Sequence, residues 1–315
     1  PIIPANSAAA EITLNDNGIF GYGIAAGAVS MTNLVSNAGV VATDTTGVGT
    51  ARYEPAACEY GGDKGIFGFG HDGSSYTAVT NLVSNAGVVA TDVTGVGTAR
   101  SGPGACEFGG DKGIFGFGHD GSIYVSITNL VSNAGVVASD QAATTGTARQ
   151  NLAGCEYGGD KGIFGFGTDG SNYLSMTNLV SNAGVVATDV TGVGTARGYL
   201  GACGYGGDKG LFGFGYVDGN PGTNVSNKVS NTGVVASDTA GVGTSRHAAV
   251  ACEYGQDKGI FGYGYTGSDV SMSNLVSNAG VVGTDVTGVG TARQGLAACE
   301  YGYDKGIFGF GSTGS

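Results

Sequence analysis

The sequence contains no tryptophan, only three histidines and three methionines, and few charges, which make up 12% of its 315 residues. Cations are the scarcest: 13 Lys and Arg against 25 Asp and Glu, a net charge of −12. That balance excludes nucleic acid, whose phosphates need clustered Lys and Arg. It also disfavours an anionic membrane surface. No apolar run approaches the ~18 residues of a membrane-spanning helix. The chain opens Pro1-Ile2-Ile3-Pro4, without a charged-then-apolar leader. A first residue other than Met reads as a processed or incomplete chain. Helical periodicity is missing too: no window places apolar residues at i, i+3, i+4 and i+7, and glycine recurs too often for helix interiors.

Glycine is abundant, with 64 residues, and this could signal a linker or disorder. Yet the glycines fall at fixed offsets, and 28 Phe and Tyr recur with them, the residues a disordered chain lacks. The organising stretch is Gly61-Gly62-Asp63-Lys64-Gly65-Ile66-Phe67-Gly68-Phe69-Gly70. It returns with small changes ending at Gly118, Gly167, Gly215, Gly264 and Gly311, and a degenerate copy runs from Asn15 to Gly23. Repetition at this period marks one continuous architecture. We therefore expect a single domain over 1–315, with repeats near 6–52, 53–100, 101–149, 150–197, 198–246 and 247–293 and a partial one at 294–315.

The six cysteines are one per repeat, at positions 58, 106, 155, 203, 252 and 299. Equivalent positions of successive repeats lie too far apart for bridges, which need Cα atoms within about 7 Å. They are expected as buried thiols behaving as small apolar groups.

Each repeat offers four candidate strands. In residues 56–100 these are Ala56–Tyr60, Ile66–Phe69, Tyr76–Val83 and Val88–Asp92. Glycine-rich turns separate the first two, and Ser84-Asn85-Ala86-Gly87 reads as a hairpin turn. Four short strands per unit of 47 to 49 residues predict an all-β fold, a β-propeller of four-stranded antiparallel blades. The first-and-second strand hairpin occurs seven times and the third-and-fourth pair six times. Seven blades with the last incomplete are expected, the N-terminal segment Pro1–Ala5 being a candidate to complete it. Six blades with a displaced terminal hairpin is the rival.

All cations but Lys228 form two periodic sets. The lysines, such as Lys64 and Lys112, belong to solvated Asp-Lys turns. The arginines are Arg52, Arg100, Arg149, Arg197, Arg246 and Arg293, and each follows an aspartate of its own repeat: Asp44, Asp92, Asp140, Asp189, Asp238 and Asp285. Both sets read as structural, as ion pairs or Arg bonds to loop carbonyls that join adjacent blades.

The run from Arg100 through Ala105-Cys106-Glu107-Phe108 to Gly113-Ile114-Phe115-Gly116-Phe117-Gly118 resembles a Kelch repeat. That resemblance implies an Arg ahead of an inner strand and an apolar strand ending in glycines, in a propeller blade. Gly-Phe-Gly replaces the family's Gly pair here, and its usual Trp is absent. The near-identical Gly-rich repeats are also similar to those of virion and fibre proteins of marine bacteriophages.

The positions that do not repeat fall in two windows. One follows the second strand and holds His71, Asp72, Tyr76, His119, Asp120, Tyr124, Asp169, Asn172, Tyr173, Asp218, Asn220, Tyr265 and Asp269. The other follows each arginine and holds Tyr53, Tyr199 and His247. Alternating strand direction puts both windows on one face, where loops on a rigid scaffold carry function. Aromatic faces beside Asn, Asp and Ser suit sugars. No nucleophile elbow, phosphate loop or converging metal ligands occur, so no cofactor and no catalysis are expected. The expectation is a non-enzymatic structural or adhesive protein, glycan-binding, extracellular or on a virion. Its partners are glycans or other surface ligands, and identical or neighbouring chains through an open last blade. The competing expectation is a propeller-family enzyme acting on carbohydrate at the channel mouth.

Overall fold

The structure, a computed structural model, describes residues 16–141 and 146–314. Among these residues it is all-β, with nineteen strands in seven antiparallel sheets. The first sheet pairs β1 (Gly18–Ile24) with β2 (Ala28–Val35). Five three-stranded sheets follow. These are β3 (Ala56–Tyr60), β4 (Lys64–Gly68) and β5 (Thr80–Val83); β6 (Gly104–Phe108), β7 (Lys112–Gly116) and β8 (Thr128–Val131); and β9 (Ala153–Tyr157), β10 (Lys161–Gly165) and β11 (Thr177–Val180). Then come β12 (Gly201–Tyr205), β13 (Lys209–Gly213) and β14 (Ser226–Val229), and β15 (Val250–Tyr254), β16 (Lys258–Tyr265) and β17 (Asp269–Val276). The last sheet pairs β18 (Ala297–Tyr301) with β19 (Lys305–Gly309). Residues Pro1–Ala5, considered above as a closing strand, lie outside the described residues.

Glycine fits the sheets together. A Cβ on Gly113 would stand 2.4 Å from Cys58 Sγ of the preceding sheet, so only glycine admits the thiol. A Cβ on Gly116 would stand 3.1 Å from the Phe164 ring of the following sheet. That second contact recurs from each sheet to the next: Gly21 to Phe67, Gly68 to Phe115, Gly165 to Phe212, Gly213 to Phe261 and Gly262 to Phe308. It also runs from Gly309 of the last sheet to Phe20 of the first, so the succession returns on itself. Backbone bonds along the Asp-Lys turns follow the same path, from Gly61 N–H to the Asp111 carbonyl (2.8 Å) round to Gly302 and Asp16 (2.5 Å). The result is a propeller-like arrangement of small sheets, with cores such as Ile163, Phe166 and Phe212 between neighbours.

Three strand expectations are corrected. The second strand ends at Gly68, where Phe69 turns to φ +64 and Gly70 to φ +111; β1 and β16 carry the same reversal as a bulge and pair again beyond it. The third strand is Thr80–Val83, shorter than Tyr76–Val83, since that bend leaves Tyr76 joined only by a bridge to His71. The fourth run is held by isolated bridges, Val83↔Val89 and Thr80↔Val93. Between them Asn81 Nδ2 takes the Ala90 carbonyl at 3.0 Å, a side chain standing where a ladder bond would be.

Arg100 Nη1 donates to the loop carbonyl of Thr98 (3.0 Å), one of the two bond types expected, but the carboxylates nearest Arg149, Arg197 and Arg246 lie in the next repeat, not in the arginine's own. Arg100 donates from Nη2 to Asn129 Oδ1 (2.7 Å), and Asn129 Nδ2 donates to Asp140 Oδ1 (2.9 Å). Asp140 accepts from the Thr98 N–H (3.0 Å) and Oγ1 (2.7 Å), which locks the crossing segment onto the following sheet. Asp92 serves Thr50 in the same way. Arg149, Arg197 and Arg246 lie 3.8, 4.0 and 3.8 Å from Asp189, Asp238 and Asp285. Asp44 accepts from Asn33. The Arg100 guanidinium is fully buried and stacks 3.8 Å above Phe69, an arrangement repeated at Arg52, Arg149, Arg197 and Arg246. Stacking supplies cation–π attraction where water is excluded. The six cysteines are free, and burial raises their thiol pKa values above the ordinary range.

Candidate functional site: the central channel and its upper rim

The inner strands β3, β6, β9, β12, β15 and β18 alternate between two faces. Cys and Tyr or Phe point between sheets, while Ala and Glu point to a cavity of about 740 Å³ along the centre. Five carboxyl groups meet there: Glu59, Glu107, Glu156, Glu253 and Glu300. The remaining inner strand among the described residues, β12, carries Gly204, and Glu253 leans into its place. A Cβ on Gly204 would fall 1.8 Å from Glu253 Oε1.

Protein surrounds these carboxyls, although Glu59 and Glu300 keep surface open to the channel. Burial raises the pKa of all five. For Glu107 the neighbouring charges of Glu59 and Glu156 add to burial and lift it furthest. Glu300 is pushed up to about 7, by burial first and then by Glu253 and Glu59. Glu107 and Glu156 approach closely enough for a side-chain hydrogen bond, which requires a proton on one of them. Of the two, Glu107 is raised further and holds its proton more firmly than Glu156.

Sequence reasoning passed over these glutamates. The available signal was a charged residue at the same place in an apolar strand in five repeats, replaced by Gly204 in the sixth. Strand alternation alone could not say that this face borders a channel.

The variable residues lie on the opposite rim from the Asp-Lys turns and gather into two aromatic arcs. Ring centroids run from Tyr53 to His71 (5.2 Å), Tyr76 (4.7 Å), His119 (5.9 Å) and Tyr124 (4.8 Å). The second arc joins Tyr173 to Tyr216 (5.2 Å), His247 (5.3 Å) and Tyr265 (5.4 Å), with Tyr199 at 6.4 Å from His247. Tyr216 opens one of the variable windows but is not among the candidate ligand residues chosen from them.

The acidic loop residues are occupied differently. Asp72 Oδ1 accepts the N–H groups of Ser74 and Ser75, both at 2.7 Å, and these bonds lower its pKa. Asp120 and Asp169 form the same turn with Ser122 and Ile123, and with Ser171 and Asn172. Asn220 accepts from Gly222 N–H at 3.4 Å. Asp218 stands outside both arcs, between Val217 and the turn at Gly219. Asp269 opens β17 opposite Tyr265 and has a buried Oδ1 without a partner.

No family model matches the sequence, and no curated protein matches it. Among solved structures the chain is similar to a fungal alcohol oxidase of the AA5 family, in complex with copper, at a TM-score of 0.64 and 15% identity. The match covers 90% of this chain and 65% of the oxidase, so the chain spans less than two thirds of that protein's length. At this identity the likeness concerns the all-β, propeller-like fold. It corrects the expectation of a non-enzymatic protein, because the matched structure with this fold is an enzyme.

The residues present do not fit the oxidase's copper. His71 and His119 turn Nδ1 to their own loops, accepting from Gly73 (2.9 Å) and Gly121 (3.1 Å), and His247 Nδ1 lies 2.5 Å from the Pro221 carbonyl oxygen. Among the described residues no three His, Cys, Asp or Glu side chains are placed to hold a metal.

Proposed function

We propose that this chain is a propeller-family enzyme acting on carbohydrate, with its site at the mouth of the central channel. The observation that carries the reading is the convergence of five glutamates on one channel, with Glu107 raised furthest by burial and its neighbours' charges. Cleavage of a glycosidic bond uses two carboxyls about 5–9.5 Å apart: an acid protonates the departing oxygen, and a carboxylate on the other side of the bond attacks the sugar or activates water. Glu107 supplies the acid; Glu156, within hydrogen-bond reach of it, is too near to be the second carboxyl, which another of the five supplies. Glu59, Glu253 and Glu300 keep the local potential negative, which favours an oxocarbenium-like transition state. The aromatic arcs, on the rim away from the glutamate end of the inner strands, offer a separate surface of ring faces on which sugars stack.

In this reading the seven sheets are seven blades, each fourth strand being the bridge-bonded run, and the Arg-led inner strand is Kelch-like. Glycans are the partners. The test is release of reducing ends from a panel of oligosaccharides and polysaccharides. Turnover is expected on at least one glycan, and Glu107→Gln should lower kcat by about 10²- to 10⁴-fold. A panel without turnover, or an E107Q variant as active as the parent, overturns the assignment.

A further inference from the structure

Four Asp-Gly pairs, at Asp72, Asp120, Asp169 and Asp218, occupy the upper-rim loops of four successive repeats. Such a pair can react with itself. The glycine amide nitrogen attacks the aspartate Cγ and an N–C bond forms. The C–O bond to the carboxyl hydroxyl breaks, and that hydroxyl leaves with the amide proton as one water. Water then opens the resulting succinimide ring at either carbonyl. Opening at Cγ restores aspartate; opening at the main-chain carbonyl leaves isoaspartate, whose backbone is one carbon longer. Glycine favours closure because no side chain shields its nitrogen.

Three of the four loops restrain both reacting groups. Asp72 Oδ1 accepts from the Ser74 and Ser75 N–H groups, both at 2.7 Å. Asp120 Oδ1 accepts from Ser122 and Ile123, both at 2.8 Å, and Asp169 Oδ1 from Ser171 (2.8 Å) and Asn172 (2.7 Å). These backbone bonds hold the three carboxyls below the ordinary carboxylate range, and an ionised carboxylate is a poor electrophile. The attacking nitrogens are held as well. Gly73 donates to His71 Nδ1 (2.9 Å), Gly121 to His119 Nδ1 (3.1 Å) and Gly170 to Thr168 Oγ1 (3.0 Å). Neighbouring rings close over two of these turns: a Cβ on Gly121 would stand 2.6 Å from Tyr76, and one on Gly170 2.4 Å from Tyr124.

The fourth loop lacks each of these restraints. Val217 precedes Asp218 and offers Gly219 no side-chain acceptor. Residues 218–221 are exposed, and no atom lies within 4 Å of a Cβ placed on Gly219. Among the described residues no hydrogen bond reaches the Asp218 carboxyl or the Gly219 N–H, and the turn is closed by one backbone bond, Asn220 N–H to the Val217 carbonyl (3.0 Å).

We infer that Asp218-Gly219 is a self-modification site, the place where succinimide closure and isoaspartate formation concentrate in this protein. The product lengthens the backbone two residues after Tyr216. That ring stands 5.2 Å from Tyr173 and 5.3 Å from His247, so the change falls beside the second aromatic arc. This inference does not depend on the enzymatic reading.

The test incubates the folded full chain at neutral pH in water enriched in heavy oxygen and then digests it with trypsin. Cleavage after Lys and Arg yields peptides 65–100, 113–149, 162–197 and 210–228, each with one Asp-Gly pair. Isoaspartate carrying heavy oxygen is expected in 210–228, accumulating at least about tenfold faster than in the other three, where two or three hydrogen bonds must break first. In urea, with the loops unfolded, the four rates should converge. Comparable rates at all four pairs in the folded chain, or an undiminished lead for Asp218 in urea, overturn the inference.

Discussion

Arg149 concentrates the interactions that hold one sheet to the next. It is fully buried, stacks 4.1 Å from the Phe117 centroid, bonds Asn178 and the Thr147 carbonyl, and faces Asp189 at 3.8 Å. Removing it leaves the partners desolvated without a donor, which costs more than the pair itself contributes. Arg149→Ala is expected to destabilise the fold by about 3–5 kcal/mol in urea unfolding. Arg149→Lys should recover only part, because an ammonium cannot stack flat on Phe117 while reaching both acceptors. The periodic arginines and aspartates were legible in the sequence. Their pairing was not, because nearness along the chain pointed to the aspartate of the same repeat. The crossing segment instead commits each arginine to the next sheet. The glutamates were harder still: each is one charge near a strand end, and its significance appears only when five strands bring theirs together.

At the level of single strands, the hairpin Ala-Cys-Glu-Tyr, Gly-Gly-Asp-Lys-Gly, Ile-Phe-Gly was readable in every repeat from its turn glycines and aromatic alternation. The outer strands were overestimated because hydrophobic runs do not reveal a backbone reversal such as that at Phe69, or an asparagine amide replacing a ladder bond. Glycine in the middle strand does more than permit a turn: it is the receptacle for the neighbour's ring. Gly165→Ala would place a Cβ 2.7 Å from the Phe212 ring. Phe212 is fully buried and cannot retreat, so a loss of about 1–3 kcal/mol is expected from overpacking. The same measurement on Gly159→Ala provides the contrast. That turn glycine meets no atom within 4 Å, so only the backbone cost of its φ of +75° remains, about 1 kcal/mol.

Taken as a whole, the molecule stores unfavourable charge along its centre. The channel glutamates have pKa values above their unfolded value of 4.5, so burial adds stability that is complete below about that pH. It is lost as pH rises through about 7 at Glu300 and higher at Glu107. The outer aspartates act oppositely. Asp92, Asp140, Asp238 and Asp285 are held below the ordinary carboxylate range by their threonine and asparagine donors against the opposing effect of burial. Their contribution is present above pH 3.8 and fades as pH falls through the lowered values. Thermal unfolding between pH 5 and 9 should therefore show a decline in Tm toward alkaline pH. Glu107→Gln should flatten that decline, and an unchanged slope would show that the channel charges are solvated well enough not to matter.

Gly204 gives this nearly repetitive molecule a reference direction. Five of the six inner strands among the described residues present the same wall to the channel, and a ligand meeting only those walls could settle in several rotational settings of equal energy. At Gly204 one wall is bare and Glu253 leans across it. The equivalence among the strands ends there, and the channel acquires a keyway: a ligand that needs room on one side and carboxylates on the other has a single orientation in which to enter.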